Sequence, residues 1–164
     1  SLPEYNWTKL TDDNYWLIES ALTNVGDLPD WMISLPNGTI QLATTIVPDS
    51  QDFGYDAMKL IPNLIESYYK TNDTRAYNIL LRLEPSMRSF SVAQNNPSTN
   101  AALSSLLLSL DKSEEAATIY NTTIAENYNQ DGSLSDGFNY RDHYWMWKFH
   151  QLLQFSPSKS QIIK

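Results

Sequence analysis

Helix-breaking punctuation divides this chain so closely that a stack of short-linked helices is the main fold open to it. Asp73-Thr74 opens a helix, Asn95-Asn96-Pro97 is a break, and Asp111-Lys112-Ser113 is a short connection that ends in a capping residue. The stretches between them carry apolar side chains at helical spacing. The pattern predicts helices over 11–25, 55–70, 74–90, 100–110, 114–128 and 140–155, in antiparallel succession. Thr11 or Asp12 caps the first and Gly26 stops it. Ser98 or Thr99 caps the fourth, and Ser113 the fifth.

Residues 28–47 read differently. Trp31-Met32-Ile33 and Thr39-Ile40-Gln41-Leu42 are short β-prone runs, and Pro36-Asn37-Gly38 between them is a turn. The expected class is therefore all-α, built of antiparallel helical hairpins with one small β-hairpin inserted. Such hairpins build a solenoid or a ring of helix pairs, and no fixed-period repeat favours the solenoid. Pro62 falls inside the helix pattern at 55–70. It either kinks that helix or splits off a first turn carrying Tyr55 and Asp56. Pro85 stands in the middle of the next helix and threatens it in the same way.

The chain has 164 residues, 41% of them hydrophobic, enough for one domain with a core. Aliphatic runs such as Leu106-Leu107-Leu108 reach only three residues, far too short to cross a membrane. The net charge of −8 argues against nucleic acid and anionic membrane surfaces as partners. A neutral polysaccharide meets no such penalty. Without Cys, neither disulfides nor thiol chemistry is available. No His or acidic pattern has metal-ligand spacing, and no cofactor-binding motif occurs, so neither is expected. Asp131-Gly132-Ser133 and Asp136-Gly137 are fragments of a calcium loop without its full ligand set.

Phe53-Gly54-Tyr55-Asp56-Ala57-Met58-Lys59 carries the chemistry. An acid at a helix start, flanked by Gly and aromatics, is placed either to work as a carboxylate or to charge the helix terminus. Tyr55 can orient Asp56, and Lys59 can lower its pKa. Trp31 and Tyr140 read either as sugar-stacking platforms or as core aromatics. The aromatics of the last helix, Tyr144, Trp145, Trp147 and Phe149, read as packing.

This segment, with Tyr5-Asn6-Trp7, Trp16 and Leu28-Pro29-Asp30-Trp31 upstream, resembles the second half of a family 8 glycoside hydrolase. The resemblance spans residues 5–155. It implies part of an (α/α)6 toroid and inverting hydrolysis of a β-linked glycan. It also implies that Asp56 is the general base, supported by Tyr55 and Lys59. The expected partners are a polysaccharide or oligosaccharide and a missing N-terminal half of the same polypeptide. The expected setting is secreted or at the cell surface of a bacterium.

The departures matter. Lys59 replaces the family's Arg and loses its planar fork. Ile61 stands where the family has a proline, which comes one position later as Pro62. The family's general acid lies in a Ser-Glu-Gly segment, which is absent here. Inverting hydrolysis needs both an acid and a base, so residues 1–164 read as the C-terminal half of a catalytic domain. On that reading the isolated chain is inactive. The alternative is a non-catalytic helical module that binds a glycan or a protein.

Overall fold

A computed structural model describes residues 6–44, 46–47, 52–127, 129 and 140–153, with the side chains of 124, 140, 141, 149, 150 and 153 outside the description. The described residues are mostly helical. The elements are α1 (Trp7–Asn24), β1 (Met32–Ser34), β2 (Ile40–Leu42), α2 (Tyr55–Met58), α3 (Leu60–Thr71), α4 (Thr74–Gln94), α5 (Pro97–Ser109), α6 (Ser113–Ile119) and α7 (Tyr140–Leu153). A π-helical turn at Tyr120–Ile124 and a 3-10 turn at Ala125–Asn127 extend α6. The expected polar loop with Asp131 and Asp136, and the tail 158–164, lie outside the described residues.

The chain forms two compact units, 1–57 and 58–164. In the first, α1 starts earlier than the periodicity predicts. Asn6 is its N-cap, accepting a hydrogen bond from the Lys9 amide at 2.9 Å. Thr11 is an interior residue whose hydroxyl donates to the Trp7 carbonyl. Gly26, at φ 87°, follows the end of α1. Strands β1 and β2 pair antiparallel with Met32 opposite Leu42 and Ser34 opposite Ile40. Asn37 and Gly38 close the turn between them, where Thr39 N donates to the Asn37 side chain and Gly38 N to the Leu35 carbonyl. Helix α1 packs on β2. Its buried face is Tyr15, Ala21 and Leu22, and Trp16 is 50% exposed, with the edge of its ring over Gly38.

In the second unit α5 lies at the centre, packed by α3, α4, α6 and α7. Every residue from Ser98 to Ser109 is buried. Apart from Pro97 and Asn100, α5 is Leu, Ala, Ser and Thr on all sides, with no charged face to keep in water, so it goes to the middle. Its serines bond back to their own helix, Ser105 to the Ala101 carbonyl and Ser109 to that of Leu106. Ser98 donates to Asp142 of α7, and Ser91 of α4 donates to Asn100 at 2.7 Å. Asn96, rather than Ser98 or Thr99, caps α5.

Pro62 resolves into the second of its two alternatives. It sits in the first turn of α3, where no amide is needed, and α2 stands apart as a separate turn ending at Met58. Pro85 does not break α4, which runs unbroken from Thr74 to Gln94. Pro85 and Leu81 one turn before it are both exposed, so water can serve the carbonyl that the proline leaves unpaired. Asn72 and Asn95 close α3 and α4 in the left-handed conformation, at φ 54° and 43°. Ser113 is the first residue of α6, whose N-cap is Lys112 without a side-chain capping bond.

Candidate functional site

Tyr55 and Asp56 open α2, Asp56 in its first turn and exposed, Tyr55 half-buried. The start of this turn is tied to Asp30, 26 residues before Asp56 in the chain. Its Oδ1 accepts hydrogen bonds from the Asp56 amide at 3.0 Å and the Ala57 amide at 2.8 Å. These are amides that the start of a helix leaves unsatisfied, and a carboxylate is the best acceptor for them. The Asp30 amide in turn donates to the Asp52 carbonyl at 3.3 Å. The loop bearing Asp30 is thus tied to both sides of Phe53-Gly54.

Gly54 makes this approach possible. A Cβ there would lie 2.8 Å from Asp30 Cγ and 2.9 Å from Oδ1, inside contact distance. The Gly of the Phe-Gly-Tyr-Asp segment is therefore required by the neighbouring carboxylate, not by backbone conformation. The sequence singles out Asp56 and Tyr55 but gives no role to Asp30. An acid after a proline is common in loops, and the partner it caps is too distant in sequence for local pattern to show.

The other candidates are dispersed. Lys59 is exposed between α2 and α3, in the second unit. Trp31, just before β1, is 53% exposed, which removes the reading of it as a core aromatic. Tyr140 begins α7, and its side chain lies outside the described residues. No group of three or more metal-ligating side chains occurs among the described residues. No helix there is long and apolar enough to cross a membrane.

Among the described residues, an electrostatic cluster stands elsewhere, around Glu84 of α4. Lys112 Nζ reaches its two oxygens at 2.6 and 2.7 Å, and Arg88 Nε donates at 2.8 Å. Arg88 also binds Glu115 of α6 at 2.6 Å. Burial pushes the Glu84 carboxyl up, but the bonds from Lys112 and Arg88 outweigh it and hold the pKa below the usual glutamate value. All three partners belong to α4, α6 or the link before α6, so this is a clamp between elements.

No protein-family model, curated protein or solved structure matches the chain.

Proposed function

We propose that this chain is the base-bearing half of an inverting, family 8-like glycoside hydrolase acting on a β-linked glycan. The observation that carries the reading is the mounting of Asp56. Its carboxylate is exposed, while its backbone amide is fixed by Asp30. That combination suits a general base, which must meet water from a fixed position. On the family resemblance Tyr55 and Lys59 are its supporting residues. The general acid, and the remaining helix pairs of an (α/α)6 ring, would come from the other half of the catalytic domain. A secreted or cell-surface setting would suit a polymeric glycan substrate, and the bacterial one comes with the family resemblance.

The test is Asp56→Asn in the complete enzyme. Hydrolysis should fall by about 10²–10⁴-fold, the usual contribution of a general base, with the circular dichroism melt unchanged. Near-normal release of reducing ends by that variant would overturn the assignment.

A second reading has an observation of its own. Trp7, Trp16 and Trp31 of the first unit are each half or more exposed, as a glycan-binding module without chemistry would have them. Retention of a glycan by the complete polypeptide, with no cleavage, would favour it.

A further inference from the structure

Helices α3 and α7 pack on each other and leave a groove of about 340 Å³ between two stripes of side chains. Pro62, Glu66 and Lys70 supply one stripe, a residue per turn along α3, and Trp147, Lys148 and Gln151 supply the other. The α3 stripe spans about 12 Å at 1.5 Å per residue. The indole of Trp147 is 55% exposed, whereas Trp145 on the same helix is 3% exposed. Core packing therefore accounts for Trp145 and leaves Trp147 unexplained.

The surroundings of Trp147 narrow what could cover it. Lys148 Nζ lies 5.6 Å from the ring centroid, so the π face already attracts positive charge. The polarised C–H groups on the face of a pyranose offer the same sign. Glu66 is ion-paired to Lys70, which holds its carboxyl below the usual glutamate range and keeps it an acceptor. Gln151 adds an amide that both donates and accepts. A purely apolar ligand would cover Glu66, Lys70 and Gln151 without offering any of them a hydrogen bond. A simple anion would make no use of the indole, and a simple cation would compete with the Lys148 ammonium already at the ring. A ligand with a flat apolar face and a rim of hydroxyls satisfies both.

We propose that this groove binds a saccharide chain, with one pyranose stacked on Trp147 and its hydroxyls hydrogen-bonded to Glu66 and Gln151. It is a second site, sharing no residue with the Asp56 region and independent of any hydrolytic role there.

The test is calorimetric titration of the full chain with neutral β-linked hexasaccharides (gluco- and xylo-) and with an acidic oligogalacturonate. Binding of either class supports the proposal, and preference for the acidic one would add Lys148 to the contacts. Trp147→Ala should weaken binding about tenfold, the loss of one stacking contact. Trp147→Phe should recover most of that loss, Gln151→Ala should weaken binding less, and Asp56→Asn should leave it unchanged. Failure of all the saccharides to bind would overturn the proposal, as would wild-type affinity in Trp147→Ala. Binding lost in Asp56→Asn but kept in Trp147→Ala would move the saccharide to Asp56, ending this proposal and leaving the other standing.

Discussion

Gly54 and Asp30 make a pair whose coupling can be measured. Gly54→Ala forces a methyl against the Asp30 carboxyl, so the carboxylate must leave the two amides it serves. The expected cost is about 1–2 kcal/mol, that of a lost cap. Asp30→Ala should cost a similar amount. With both changes together the carboxyl that the methyl displaces is already gone, so the double variant should be clearly less destabilised than the sum, as read by urea unfolding. Additive costs would mean that Gly54 serves some purpose other than room for Asp30. At this scale the sequence was half legible. Asp56 announces itself through its neighbours, because a helix start and its flanking aromatics are local. Asp30 does not, because a cap from 26 residues away has no local signature. Trp147 could have been found. Two tryptophans two positions apart on a helix point about 200° from each other, so with Trp145 facing the core Trp147 faces outward.

Among the elements, α5 and the clamp on α4 give the sharpest expectations. Ser104 Oγ is fully buried and finds no hydrogen-bond partner among the described residues, unlike Ser105 and Ser109 on the same helix. Ser104→Ala removes a stranded hydroxyl and improves helix propensity, so it should stabilise by about 1 kcal/mol in chemical denaturation. A loss of stability would reveal a partner for that hydroxyl. For Glu84 the sign runs toward acid. Its folded pKa lies below its unfolded one, so its contribution is complete above the ordinary glutamate value and is lost as pH falls through the folded value. Glu84→Gln should therefore cost about 1–2 kcal/mol near neutrality, a modest figure because Arg88 and Lys112 are more than a third exposed. The difference from wild type should shrink on acidification below about pH 4, measured by unfolding at a series of pH values. A gap constant with pH would exclude the clamp as its source. The helices were largely visible in the sequence because caps and apolar spacing are local signals. Their ends were less so. Asn6, Lys112 and the π turn after α6 depend on backbone geometry that pattern does not carry. The central place of α5 was written in its lack of any polar face.

At the scale of the molecule, an all-helical class followed from short links and capped apolar stretches, but whether the helices belong to a ring does not follow from local signals. A part of a toroid has one property that an independent module lacks: inner faces that need covering by the rest of the ring. Large apolar side chains stand exposed in both units, Trp7, Leu10, Trp16 and Trp31 in the first and Leu81, Val92 and Trp147 in the second. Exposed rings favour association, while a net charge of −8 opposes it by like-charge repulsion. Salt screens the repulsion and leaves the apolar attraction, with a Debye length of about 30 Å at 0.01 M falling to about 8 Å at 0.15 M. The isolated chain should therefore self-associate, and more strongly as salt is raised from 10 to 150 mM. Sedimentation velocity across a concentration series would show a rising weight-average mass at the higher salt. A single monomeric boundary at every concentration and at both ionic strengths would contradict the half-toroid reading, because a face that remains dry-side-out in isolation without associating has no need of a missing half.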